Sequence, residues 1–316
     1  MRTHTATVAL VLAACSVESS RLGDRDLEGE PGAESIDAAP ADSRVAEQEA
    51  GTDAGVDPVD ALPIREAGGD GFADAAVDAR AIAPASAKLF DDFESYPMNG
   101  KPSGAWKALT SGTGALTIDN VHVFSGQRAV HVTIKKFAAD SSGLIETKPA
   151  AVFPAPNHTY FGRMMIFIPS VPGNRHWTMI LGIGPSAPGT PATNVVNYGF
   201  GINNGSFWQS EYFKPEGFVD YGYQDFNNLT PVVQAKWACV EWSMDALQRK
   251  LRLWVDNVAI DSVSVNGQGY ANQTPWNGPA FETVRLGINS YNPGLAFDTD
   301  LWIDDVALGH ARIGCP

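Results

Sequence analysis

From Trp237 onward the side chains alternate in character. Val240, Trp242 and Met244 are apolar, with Cys239, Glu241 and Ser243 between them. After a short break Leu251, Leu253 and Val255 alternate with Lys250, Arg252 and Trp254. A period of two marks strands with one face on a core and one toward water. The two runs therefore predict a hairpin around which the rest of the chain is organised. Asp256-Asn257 predicts a tight turn into 258–260, because both residue types tolerate a positive φ. Near the end, Leu301-Trp302-Ile303-Asp304-Asp305-Val306-Ala307-Leu308 is written in the same style.

Similar signals recur upstream, at 89–94, 115–123, 129–136, 143–147, 159–168, 177–183, 195–202 and 206–213, and again at 283–288 and 296–308. Clusters of Gly, Pro, Asn and Ser separate them, and no helical period competes. Many short strands divided by turn signals predict an all-β, antiparallel sandwich or jelly roll. Residues 88–316 suit one such domain.

Alternation also assigns faces. In 160–168 the set Gly162, Met164, Ile166 and Ile168 is expected on the core, leaving Arg163 opposite with Met165 and Phe167. In the next strand Trp177, Met179, Leu181 and Ile183 are expected on the core, leaving His176 and Thr178 opposite. In 197–203 Tyr198, Phe200 and Ile202 take the core. Asn197, Gly199, Gly201 and Asn203 remain, and the glycines leave room for a ligand near the backbone. The phase of 207–213 is open, with Gln209 and Glu211 on one side and Trp208 and Tyr212 on the other.

Charge divides the chain. Residues 16–88 hold 17 Asp and Glu against 6 Lys and Arg, and one aromatic, Phe72. Residues 89–316 hold 19 acidic and 15 basic residues, so most of the net charge of −14 belongs to the N-terminal part. No basic stripe is present to neutralise phosphates, which argues against nucleic acid as a partner. Between 16 and 87 there is no sustained period and too little apolar surface to offset chain entropy, so a disordered, acidic linker is expected. It carries no spaced motif for calcium.

The first fifteen residues, MRTHTATVALVLAAC, combine one positive charge, a short apolar run and small residues before Cys15. The run is too short to span a bilayer and fits an export signal. Leu12-Ala13-Ala14-Cys15 resembles the lipobox of bacterial lipoproteins. That resemblance implies cleavage before Cys15 and lipid on it. With Ser16 following, it implies an outer-membrane or cell-surface lipoprotein that touches the membrane through lipid alone. An exported protein permits a disulfide between Cys239 and Cys315, the two cysteines of the domain. The other reading is a pair of buried thiols.

Several phrases occur together in order: Phe90-Asp91-Asp92-Phe93-Glu94, Tyr160-Phe161-Gly162-Arg163, His176-Trp177, Trp237-Ala238-Cys239-Val240-Glu241-Trp242, Trp254-Val255-Asp256 and Trp302-Ile303-Asp304-Asp305-Val306. Over 89–315 the chain resembles the concanavalin A-like jelly rolls. Within them it is most similar to the cellulose-induced protein core family, relatives of the glucuronan and alginate lyases. The resemblance implies polysaccharide as partner. Arg163, His176, Thr178, Asn197, Asn203, Gln209 and Glu211 then become candidates for a binding cleft on one sheet face.

For a uronate lyase one group must neutralise the carboxylate while another removes the adjacent proton. Arg163 with Asn197 is the candidate for the first role, and His176 or Tyr212 for the second. Known lyases of this kind carry a Gln-x-His phrase that is absent here. A jelly-roll glucanase would need a Glu-x-Asp-x-x-Glu phrase for its paired carboxylates, and that too is absent. The resemblance further implies a structural calcium ion held by a first-strand acid, a last-strand acid and a carbonyl loop. Glu94, Asp304 and the stretch from Ser125 to Arg128 match those places, and oxygen ligands suit a hard cation. The expectation is thus a surface-anchored, monomeric carbohydrate-binding or carbohydrate-active lipoprotein. A uronate lyase and a purely structural surface protein stand as rivals.

Overall fold

A computed structural model describes residues 82–136, 140–171, 176–186, 196–203, 206–213, 219–221, 229–266, 278–290 and 298–316. The expected signal, the lipidated Cys15 and nearly all of the linker lie outside these residues.

The described residues form two antiparallel sheets and no α-helix. In chain order the strands are β1 (Ala87–Asp91), β2 (Lys107–Ser111), β3 (Gly114–Asp119), β4 (Ala129–Ile134), β5 (Ser141–Thr147), β6 (Thr159–Phe167), β7 (Trp177–Gly184) and β8 (Val196–Asn203). There follow β9 (Phe207–Phe213), β10 (Val219–Tyr221), β11 (Trp237–Asp245), β12 (Lys250–Val255), β13 (Val258–Ala259), β14 (Val265–Asn266), β15 (Thr283–Ser290) and β16 (Thr299–Gly309). Sheet A runs β13-β12-β11-β6-β16-β4-β3, with β1 also on β16 and β14 on β12. Sheet B runs β10-β9-β8-β7-β15-β5-β2. The sandwich is the architecture that strand periodicity predicts.

The central hairpin is β11–β12, in register Val240↔Val255, Trp242↔Leu253 and Met244↔Leu251. All six side chains belong to the core, as their alternation requires. Asp256 and Asn257 both take positive φ, 49° and 66°, and turn the chain into β13. On β6, Gly162 lies under the Trp242 ring, where a Cβ would collide with the indole. Between the sheets Tyr160 packs edge-on to Phe281, ring centres 5.0 Å apart, and Tyr198 to Tyr212 at 5.9 Å. Fully burying each such side chain contributes roughly 1.5–3 kcal/mol.

Three strands escape the sequence reading: β2, β10 and β14. The last two are three and two residues long, too short to display a period. Of the register irregularities among the described strands, two fall at residues expected in the sites. The β7–β8 register slips between Thr178 and Ile180, so Met179 is the extra residue. Trp177 and Met179 face the core as expected, but beyond the bulge Ile180 joins it. The expected core positions Leu181 and Ile183 turn to the outer face, where Leu181 pairs with Gly199 and Ile183 with Asn197. One extra residue inverts every later side chain of a strand. The second bulge lies in β16, between Asp304 and Ala307, where Asp305 has φ 46°. It places two aspartates side by side in a strand whose Leu301, Ile303, Val306 and Leu308 all reach the core.

Candidate functional site

The outer face of sheet B carries a compact polar cluster. His176 stands just before β7, Thr178 on β7, and Gln209 and Glu211 on β9, with β8 between. The register aligns Thr178, Gly201 and Gln209 in one row and Leu181, Gly199 and Glu211 in the next. This settles the open phase of 207–213. Gln209 and Glu211 face outward with His176, while Trp208 and Tyr212 point into the core.

Each member of the cluster is bonded to another. Glu211 Oε2 accepts the Thr178 hydroxyl at 2.5 Å, and Oε1 accepts the Gln209 amide at 2.5 Å. His176 Nε2 lies 2.9 Å from Glu211 Oε1 and 2.5 Å from Gln209 Nε2. The carboxylate fixes the Gln209 amide, because only the NH2 side can donate to it. The same ring nitrogen thus faces a carboxylate acceptor and an amide donor, and it can serve the first only when protonated and the second only when not. Glu211, Thr178 and Gln209 are all 0% exposed, and His176 only 8%.

Position 201 explains how a carboxylate fits there. A Cβ on Gly201 would collide with Glu211 Oε1 and with the Trp177 carbonyl. The space expected for a ligand over the glycines is therefore taken by Glu211 at Gly201, and by Leu181 and Thr178 at Gly199. Two acceptors of this face lie buried without a hydrogen-bond partner, Gln209 Oε1 and Asn197 Oδ1. Asn203 lies in β8 by its backbone, and its side chain is outside the described residues.

Two expected members are elsewhere. Tyr212 is in the core against Tyr198, so it is removed from the candidates for proton transfer at an outer face. Arg163 does face away from the core, as expected, but it sits on β6 of sheet A. The outer faces of the two sheets look in opposite directions, so Arg163 and His176 do not share a cleft.

Arg163 lies beneath the C-terminal segment. Its Nη1 donates to the Gly314 carbonyl at 3.2 Å, and it pairs across the sheet with Glu241. Burial lowers its pKa, opposed by Asp305 and Glu241. Glu241 in turn accepts the backbone N–H groups of Ile313 and Gly314, at 2.7 and 2.9 Å, and Arg312 Nε at 2.9 Å. The expected Cys239–Cys315 disulfide is formed, with Cα atoms 5.8 Å apart, and closes this strap.

The expected calcium ligands do converge on one loop. Glu94 Oε1 accepts the N–H groups of Gln127 and Arg128, both at 2.7 Å. Asp304 Oδ2 accepts those of Phe124 and Ser125, at 3.0 and 3.2 Å, while the Ser125 hydroxyl donates to Asp305 at 2.7 Å. The Arg128 guanidinium binds the Glu94 and Tyr96 carbonyls. It is a donor here and cannot be a metal ligand through its side chain. Among the described residues no three acidic, His or Cys side chains are grouped as a metal cage. Burial, with Asp305 beside it, pushes the Asp304 carboxyl up to about 8.

A cluster not anticipated from the sequence occupies the outer face of sheet A. His131 lies between Asp119 at 2.7 Å and Asp300 at 2.9 Å, stacked on Trp302 with ring centres 3.9 Å apart. Its hydrogen bond holds the Asp300 carboxyl below its usual range. The signal was the outward phase of His131 and Trp302, which pair across β4 and β16.

No family model matches the chain, and no curated protein matches it. Solved structures do. A cellulose induced protein, Cip1, aligns with TM-score 0.52 and 17% identity, over 72% of this chain and 100% of its own. An endo-beta-1,4-glucuronan lyase from the fungus Trichoderma reesei aligns at 0.47 and 13%, over 69% and 95%. A structure of botulinum neurotoxin type C aligns at 0.39 and 15%, over 65% and 43%. The likeness to Cip1 supports the concanavalin A-like jelly-roll fold. At such identity it shows fold alone.

Proposed function

We propose that the domain is a carbohydrate-binding module whose ligand docks on the outer face of sheet B, beside His176. The observation that carries this reading is the buried cluster of His176, Thr178, Gln209 and Glu211 on that face. Polar groups on an outer face ordinarily keep water as their partner. Withdrawing four from water costs free energy unless hydrogen bonds replace it. Such a network outside the core offers a ligand oriented polar groups at the surface of the sheet. The fold shared with a protein whose name records induction by cellulose is consistent with the reading and adds no detail to it.

The test is affinity electrophoresis through gels containing soluble polysaccharides. The wild type should be retarded by at least one of them, and His176→Ala and Glu211→Ala should run free while keeping their far-ultraviolet dichroism. A wild type retarded by none would reject the reading.

An enzymatic reading is favoured by the His176–Glu211 pair alone. An imidazole oriented by a carboxylate can take a proton, the step that β-elimination needs. Incubation with uronate polymers, watched for unsaturated products by ultraviolet absorbance, decides it. We also place the protein at the cell surface, tethered through lipid on Cys15, with the acidic stretch 16–87 as spacer. A structural calcium ion near Glu94 and Asp304 belongs to the same proposal. The supporting observation is the pair of carboxyl groups of Asp304 and Asp305, buried side by side, whose ionised form a hard cation would favour.

A further inference from the structure

The geometry points to a ligand that is neutral and hydroxyl-rich at this site, and against a polyuronate. This rests on the carbohydrate reading above and narrows it.

Glu211 accepts the Thr178 hydroxyl and one Gln209 amide hydrogen, and the second amide hydrogen lies toward His176 Nε2. The buried side-chain atoms of this face that have no partner are acceptors, Gln209 Oε1 and Asn197 Oδ1. Leaving a buried polar atom unpaired is costly enough that native structures rarely do so. Both atoms call for donors. At C6 a neutral sugar supplies a hydroxyl donor, whereas a uronate carboxylate supplies only further acceptors.

Charge leads to the same class. The strands β7, β8 and β9 contain no lysine or arginine at any position. The basic residue expected to grip a uronate, Arg163, lies on the opposite sheet under the C-terminal strap. On β15 Arg285 faces outward in the row of Leu181, and its Nε is bound to Glu146 at 2.7 Å. The acidic group of the cluster is Glu211, so among the described residues a ligand carboxylate beside His176 would meet a second carboxyl, and the guanidinium on β15, Arg285, is already paired with Glu146. Bringing like charges together in a water-poor site is unfavourable.

The experiment uses two hexasaccharides that differ only at C6, a β-1,4-glucan and the matching β-1,4-glucuronan, titrated calorimetrically into the full domain. The neutral sugar should bind at least tenfold tighter than the acidic one. Glu211→Gln, which keeps the shape and removes the acid, should shrink that ratio by raising affinity for the glucuronan. Equal or tighter binding of the glucuronan by the wild type overturns the inference, whether or not the variant folds. Binding of neither sugar also overturns it. A polysaccharide array then separates the two claims: retention on any other glycan leaves the carbohydrate reading standing, and a blank array removes both.

Discussion

Arg163 and His176 both face away from the core, yet they lie on opposite sheets of the sandwich. Arg163 is a structural residue, sealed under the C-terminal strap at 4% exposure. Arg163→Ala should therefore leave glycan binding unchanged. It should lower stability by about 1–3 kcal/mol, the range for losing a buried hydrogen-bonding partner. Urea denaturation alongside affinity electrophoresis measures both, and loss of binding at native stability would contradict the assignment.

Reduction of Cys239–Cys315 opens a loop with a sequence separation of 76 and frees the strap. In the chain-entropy picture the loss is up to about 4–5 kcal/mol. Cys315→Ser should show it as a lower denaturation midpoint. Hydrogen exchange should rise at Ile313 and Gly314, whose N–H groups Glu241 holds.

Gly201→Ala tests the cluster from below. The added Cβ meets Glu211 Oε1 and a backbone carbonyl, and the latter cannot swing aside. The variant should lose carbohydrate binding and melt earlier than wild type. Gly104→Ala is a control for the substitution itself: nothing lies within 4 Å of its Cβ, and its φ of 67° adds only local strain. It should keep full binding.

Asp304 sets a pH dependence. Burial raises its carboxyl from 3.8 in the unfolded chain to about 8 in the fold. The folded state thus holds this proton more tightly than the unfolded state does. The resulting stability is fully present below about pH 4 and is lost as pH rises through 8. In excess EGTA the contribution should appear as a melting temperature that falls between pH 5 and 8, and Asp304→Asn should flatten that fall. Bound calcium favours the ionised carboxylate, so added calcium should reverse the slope. An identical profile with calcium and with EGTA removes the ion from the proposal.

How much of this was legible in the sequence depended on what alternation encodes. The period of Val240, Trp242 and Met244 named the core face of β11 correctly, because nothing interrupts that strand. On β7 the same logic worked through Met179 and failed at Leu181, since a bulge adds one residue without a distinctive sequence sign. Arg163 illustrates a deeper limit. Alternation separates inward from outward, but a two-sheet sandwich has two outward directions. Strand order, not period, decides which one a residue takes. Glu211 was correctly placed beside Gln209 as a face partner. That its carboxylate fills the space over Gly201 depends on the register of three strands, which no single strand carries.

The pairing of the first strand with the last has a practical side. Ala87 lies opposite Gly309, and the final residues are stitched to β11, so both ends of the domain emerge on sheet A. Coupling the protein to a sensor chip or bead through either end would leave the sheet B face turned toward the solution. Attachment through residues of β8 or β9 would bury it against the support.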